Sequence, residues 1–249
     1  MLVMKFMMLE SGSSGNSFVL QAKDTKIIID CGGTKTYLMN ALGQFHLCPE
    51  DMDAVLLTHG HVDHISQLKH FKGKTIFGTF PSELVEIHQI STHATFKIKD
   101  VTVTSLPLSH DFPKTVGYKL ECDGETLVYV TDTGYVNESL MDELRNADYY
   151  VWESNHDPYL LMKTNRPYPT KQRILSSEGH LSNDESSRLL TLLVGEKTKE
   201  VILAHISKEA NTCELAVDTL YKTFEKQQKA VEFKVVAAKQ NEAYLGGNL

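Results

Sequence analysis

Seven consecutive residues, Thr58-His59-Gly60-His61-Val62-Asp63-His64, carry three imidazoles and a carboxylate. That density of donors is suited to binding metal, and imidazole with carboxylate suits Zn, Mn or Fe better than Ca or Mg. The run follows the apolar stretch Ala54-Val55-Leu56-Leu57, so the donors are expected where a strand gives way to a loop. From an extended turn His59 and His61 can project together while Asp63 and His64 point elsewhere. One loop can then serve two ions.

The elements that must position such a site recur along the chain. Asp30 ends the run Lys26-Ile27-Ile28-Ile29, and His110 follows Val101-Thr102-Val103-Thr104-Ser105-Leu106. Asp132 follows Thr126-Leu127-Val128-Tyr129-Val130, and His205 follows Glu200-Val201-Ile202-Leu203-Ala204. Each is a polar residue at the end of an apolar run, where α/β folds present chemistry on loops held by rigid strands.

Taken together and in this order, these residues resemble the metallo-β-lactamase superfamily of binuclear hydrolases over nearly the whole chain. The resemblance implies an α/β fold, a four-layer αββα sandwich formed as one domain over 1–249. It implies two divalent ions, Zn or Mn with Fe as a third option. His59, His61 and His110 would hold one and Asp63, His64 and His205 the other, with Asp132 bridging both. Asp30 would orient the first loop from behind the ligands, as metal-bound histidines require.

A second set of residues narrows the resemblance. Glu153 lies in Trp152-Glu153-Ser154-Asn155-His156-Asp157, and His180 in Glu178-Gly179-His180-Leu181-Ser182-Asn183. An acidic residue, then His, then the final ligand His205 resembles the nucleases of the superfamily, such as tRNase Z and the β-CASP enzymes. The E-S-N-H-D and G-H-L-S-N stretches are most similar to the YycJ/WalJ/VicX group of bacterial hydrolases, which implies a cytoplasmic, exonuclease-like enzyme acting on nucleic acid, DNA in preference to RNA. No long insertion is present that would build a β-CASP lid or a tRNase Z arm, which argues against tRNA processing. The implied mechanism is attack on a phosphodiester by a hydroxide shared between two cations. Asp63 and Asp132 would orient the hydroxide, and His180, held by Glu153, would serve the leaving oxygen.

Substrate is less constrained, because fold and metal site do not fix it. A small-molecule phosphodiesterase is the alternative enzyme, and a metal-binding regulatory protein without turnover is the alternative outside catalysis; the complete ligand set argues against the latter. A net charge of −7 and a pI near 5.9 argue against nonspecific nucleic-acid binding over the whole surface but not against a local basic groove. Lys163, Arg166, Lys171 and Arg173 form a basic stretch, expected as a loop, that is either solvated or in contact with phosphates; Lys171 and Arg173 are its candidate substrate contacts. His156 either caps the turn before Asp157-Pro158 or belongs near the site. Ser11–Ser17 is either a flexible hairpin loop or a phosphate-binding one. Oligomeric state is left open.

The chain has 249 residues, 41% of them hydrophobic and 23% charged, as in ordinary globular proteins. The apolar start, Met1 to Leu9, is too short to cross a membrane and lacks a cleavage pattern, so no membrane partner is expected. Cys31, Cys48, Cys122 and Cys213 have no paired spacing and are expected as reduced thiols, with Cys31 buried. Strands are predicted near 2–9, 17–22, 25–30, 54–57 and 75–79 in a first half, with helices near 34–42, 65–71 and 81–90. The second half is predicted to have strands near 95–98, 101–106, 115–121, 125–131, 148–153, 200–205 and 231–236, and helices near 137–145, 182–194 and 212–228. Asp123-Gly124 predicts a hairpin turn, and Ser182 with Glu185 a capping box.

Overall fold

The computed structural model describes residues 4–247. Leu2 and Val3 of the predicted first strand lie outside the described residues. In chain order the elements are β1 (Met4–Glu10), β2 (Ser17–Ala22), β3 (Thr25–Ile29), α1 (Lys35–Gln44), β4 (Ala54–Leu56), α2 (Val62–Ile65), β5 (Thr75–Gly78), β6 (His88–Gln89), β7 (Thr95–Ile98), β8 (Val101–Pro107), β9 (Val116–Cys122), β10 (Glu125–Val130), α3 (Met141–Leu144), β11 (Tyr149–Glu153), α4 (Pro158–Lys163), α5 (Tyr168–Leu175), α6 (Asn183–Leu193), β12 (Glu200–Ala204), α7 (Cys213–Lys226), β13 (Lys234–Ala237) and β14 (Tyr244–Gly247). None of the described helices is long and apolar enough to cross a membrane.

The chain divides into two compact units. The first contains the residues up to Pro107, Phe112–Glu125 and the chain from Lys239 onward. Its seven-stranded sheet has the order β14-β1-β2-β3-β4-β5-β6. β1 runs antiparallel to β14 and β2, β2 antiparallel to β3, and β3 to β6 run parallel. Ile27, Ile28 and Ile29 stand beside Ala54, Val55 and Leu56. Such continuous apolar runs are what parallel strands covered on both faces require. Met7, Val19, Ile28, Val55 and Leu57 pack with Leu38, Ala41 and Leu42 of α1 in one core. β7, β8 and β9 form an antiparallel set and belong to the second seven-stranded sheet, as the sequence places them.

The second unit contains Leu108–Asp111 and Thr126–Ala238. Here β10, β11, β12 and β13 run parallel. Register sets Val130 beside Trp152, Trp152 beside Leu203 and Glu153 beside Ala204. The C-terminal ends of three neighbouring strands therefore emerge together, the position where open α/β sheets place ligands. α6 buries Leu189, Leu190 and Leu193, and α7 buries Ala216, Leu220 and Phe224.

Several expectations are corrected. The segment 81–90 is not a helix: Val85 and Ile87 pack on the core while Glu86 and His88 face solvent, a period of two that favours extended chain. The helix expected at 65–71 starts at Val62 and is followed by a separate 3-10 turn over Leu68–Phe71. Residues 158–175 hold α4 and α5 rather than a loop; Asp157 accepts from Leu160 N at 2.7 Å as N-cap, with Pro158 behind it, a helix start legible in the sequence. The capping box is half formed. Ser182 Oγ accepts from Glu185 N at 3.2 Å, but the Glu185 carboxylate takes a bidentate bond from Arg188. Asp123 and Gly124 have φ of 48° and 83°, as the predicted two-residue turn needs.

Candidate metal centre

In the first unit, β3 and β4 end side by side and place Asp30 next to Thr58. Asp30 N donates to Leu56 O at 2.9 Å, which holds Asp30 at a φ of 57°. Its carboxylate is fully buried. Oδ1 accepts from Thr58 N at 2.9 Å; Oδ2 accepts from Thr58 Oγ1 at 2.8 Å and from His64 Nδ1 at 2.7 Å. Burial pushes the Asp30 carboxyl up, against the pull of His64 and Thr58. The Thr58 hydroxyl proton is given to Asp30, so its oxygen accepts from His59 Nδ1 at 3.0 Å. Both imidazoles are thereby held through Nδ1, which makes Nε2 the nitrogen that could bind a metal.

His61 is the N-cap of α2, and Asp63 and His64 lie on that helix rather than on an extended turn. His59 Nε2 stands 3.0 Å from His61 Nδ1. The rings of both lie against Phe112, with centroids 5.8 and 5.4 Å away. A Cβ at position 60 would stand 2.5 Å from Phe112 Cζ, so any larger residue there must displace that ring. The Ser11–Ser17 turn is tied in place: Gly12 N donates to Asn16 Oδ1, and Asn16 N to Asp63 O. Asn16 Nδ2 reaches to 2.9 Å from His64 Nε2 and 3.4 Å from Asp63 Oδ2. Asn16 and Thr58 were not legible as site residues, since turns and strand ends commonly carry both types.

In the second unit Asp132, Glu153, His180 and His205 have ligand atoms within 4.8 Å of one another. Glu153 is the hub. Oε1 accepts from His180 Nδ1 at 2.7 Å and His205 Nδ1 at 3.0 Å; Oε2 accepts from Thr133 N at 3.0 Å and Leu181 N at 3.1 Å. Burial would raise this carboxyl, but His180 and His205 outweigh it and hold it well below the usual range. These four bonds occupy both of its oxygens and place Glu153 behind the two imidazoles. Asp132 Oδ1 lies 3.4 Å from His205 Nδ1. Asp132 and His205 have φ of 58° and 54°, a left-handed backbone that non-glycine residues hold at a cost of about 1–3 kcal/mol and that clusters at functional sites. Asn155 Nδ2 donates to His205 O at 2.8 Å and secures that conformation. His110 Nδ1 donates to Gly179 O at 3.1 Å, and burial pushes its imidazole down. A Cβ on Gly179 would stand 2.2 Å from the carbonyl oxygens of Arg173 and Ile174, so glycine is required for His180 N to reach Ile174 O at 3.0 Å.

A beta-lactamase superfamily domain model matches residues 25–206. The exodeoxyribonuclease WalJ of Streptococcus pneumoniae is 34% identical over 234 residues, covering 87% of this chain and 86% of the relative. The chain belongs to the metallo-β-lactamase superfamily, in its WalJ/YycJ group. The exodeoxyribonuclease YycJ of Bacillus anthracis is 30% identical over 227 residues, 85% of each chain. Among solved structures, the metallo-β-lactamase fold protein YhfI from Bacillus subtilis aligns over 99% of this chain and 100% of its own, with a TM-score of 0.70 at 19% identity. The short form of human tRNase Z aligns over 97% and 98%, with a TM-score of 0.66 at 15% identity. The fold class is therefore the α/β, αββα type that the resemblance implied.

Divalent metal use by this superfamily agrees with the donors present. Two nitrogens on one tetrahedral zinc, with Zn–N of about 2.0–2.1 Å, stand about 3.3 Å apart, close to the 3.0 Å between His59 Nε2 and His61 Nδ1. The buried carboxylates behind His64 and His205 are of the kind found behind metal-binding histidines. Cys31 is not among these donors: it is buried, and burial pushes its thiol well up. The basic stretch departs from expectation. Lys171 lies on α5, nine-tenths buried, with Nζ donating to Met162 O at 2.8 Å and Thr164 O at 2.7 Å. Its ammonium closes the α4–α5 connection instead of facing solvent. Arg173 is half exposed and pairs with Asp111, whose carboxylate is also 3.1 Å from His110 Nε2.

Proposed function

We propose that this protein is a binuclear metal-dependent nuclease that hydrolyses phosphodiester bonds of DNA from a strand end. The observation that carries the reading is Glu153 anchoring both His180 and His205 through one carboxylate oxygen. That arrangement equips one site with a ligand histidine and a proton-carrying histidine. The exodeoxyribonuclease relatives that match 85% or more of the chain support it.

In this proposal His59, His61 and His110 hold one ion, Asp63, His64 and His205 the other, and Asp132 serves both. Zn and Mn suit these donors, with Fe as the third choice. Asp30 fixes the tautomer of His64 from behind. Bound divalent cations supply a water activated near neutral pH and stabilise charge on the phosphate oxygens. Asp63 and Asp132 accept hydrogen bonds from the attacking water and orient it. His180, fixed through Nδ1, presents Nε2 to the leaving oxygen and gives it a proton. Arg173 is the proposed phosphate contact; Lys171 holds the helix that carries it. The cytoplasm, where both DNA and thiols in reduced form are found, is the proposed location.

The experiment offers Mn- or Zn-loaded protein labelled DNA, RNA, a small phosphodiester, a β-lactam and a thioester in parallel. Faster turnover of DNA than of any other substrate is expected. Faster hydrolysis of the β-lactam or thioester would overturn the assignment.

A further inference from the structure

His156 is 1% exposed, yet neither of its ring nitrogens has a hydrogen-bond partner among the described residues. Its backbone is fixed, with Asn183 N donating to His156 O at 2.8 Å. The turn it precedes does not use the ring: Asp157 supplies the cap of α4. Buried polar groups in native proteins are almost always bonded, to protein or to ordered water, so both ring nitrogens require a polar partner that the described residues do not supply. Burial pushes the imidazole down to about 4, so near neutral pH it offers one N–H and one lone pair.

His156 is one of the residues lining a cleft of about 180 Å³, with Pro158, Leu175, His180, Leu181, Ser182 and Glu185 among the others. Three apolar side chains suit a carbon framework. That volume is below the roughly 300–1,000 Å³ of sites for drug-sized ligands. One pentose ring suits it; a whole nucleotide does not. His180 is also the residue proposed to protonate the leaving oxygen, and in a nucleic acid the atom bonded to that oxygen is a sugar carbon.

From this juxtaposition we infer that the His156 cleft is the subsite for the leaving sugar, with the neutral imidazole hydrogen-bonded to a sugar hydroxyl or ring oxygen. The inference rests on the nuclease reading for the orientation of substrate, but the binding of a nucleoside tests it without turnover.

Zinc-loaded protein is titrated with thymidine while the histidine ring nitrogens are followed by NMR. A saturable shift of the His156 resonances, abolished in His156→Phe and weakened in Leu175→Trp, is expected. Kinetics supply the second readout: kcat/KM for the dinucleotide TpT, whose leaving group is a sugar, divided by kcat/KM for the nitrophenyl ester of thymidine monophosphate, whose leaving group is not. Loss of one neutral hydrogen bond should lower that ratio by about three- to tenfold in His156→Phe. Leu175→Trp, at a half-exposed position, should lower it by narrowing the cleft with His156 intact. Wild-type protein that cleaves both substrates, with no thymidine-induced shift and an unchanged ratio in both variants, would overturn the subsite and leave the nuclease reading standing. Protein that cleaves neither substrate would overturn the nuclease reading, and the thymidine titration would still decide the subsite.

Discussion

Glu153 and His180 are joined by a 2.7 Å hydrogen bond from Nδ1 to Oε1, and the same oxygen stands 3.0 Å from Nδ1 of His205. One carboxylate thus supports both the proposed proton donor and a proposed ligand. From the sequence, Glu153 was expected to serve His180 alone. The shared oxygen changes what its substitution should do.

His180→Ala is expected to keep the fold and the metal content and to slow the chemical step by about 10²–10⁴-fold, the usual contribution of a general acid. The loss should shrink on a nitrophenyl diester, whose leaving group needs little protonation. Glu153→Gln should combine a milder form of that defect with metal affinity weakened by about 10–100-fold, the usual effect of losing a support behind a ligand. Chelator competition measures the second effect. Equal rate losses for His180→Ala on good and poor leaving groups would return His180 to a structural role.

Thr58 makes a separate prediction in the first unit. Its hydroxyl donates to Asp30 and accepts from His59, so Thr58→Val keeps the shape and removes the bridge. Leaving those buried groups unmet should cost about 1–3 kcal/mol of stability, read by urea unfolding of metal-free protein. The affinity for metal should fall with it, because the His59 ring loses the partner that selects its tautomer. An unchanged chelator midpoint would show that Thr58 only fills space.

The sequence revealed the parts of this arrangement that combine two signals. Asp30, Asp132, Glu153 and His205 were legible because each is a charged or ligand residue closing a run of apolar ones, and the structure sets each at or just beyond the end of a parallel strand. Asn16, Thr58 and Asn155 were not, because their contacts depend on tertiary neighbours: Asn16 reaches His64 across 48 positions, and Asn155 reaches His205 across 50. The helices α4 and α5 were lost to a polar, proline-containing composition, although Asp157-Pro158 carried a start signal. The false helix at 81–90 arose from apolar residues spaced closely enough to suit either period; packing of Val85 and Ile87 on one side decided for extended chain. The identical ammonium of Lys171 could not be told from a solvated one, since only the α4–α5 carbonyls give it a destination.

Metal content tests the division of ligands. Seven proposed donors exceed the four that one tetrahedral ion takes. Reconstituted protein should carry two ions per chain by elemental analysis, and Asp132→Ala should lose hydrolysis together with at least part of the metal. A ratio that stays at one under metal excess would refute the binuclear centre.

His156 links burial to acid sensitivity. In the unfolded chain its imidazole takes up a proton near the ordinary value of 6.5, whereas burial holds it down to about 4 in the folded protein. Between those values the unfolded state binds more protons than the folded state, so stability must fall as pH falls through this window and level off below about 4. At pH 5 the contribution of this one ring is about 2 kcal/mol, from roughly 1.4 kcal/mol per unit of separation. Urea unfolding of wild type and His156→Gln at pH 7.5 and pH 5 isolates that share, because the other titrating groups are common to both. The wild type should lose about 2 kcal/mol more than the variant over this range. Equal losses would mean that the folded protein protonates His156 without penalty, and that the ring has a partner able to accept its second proton.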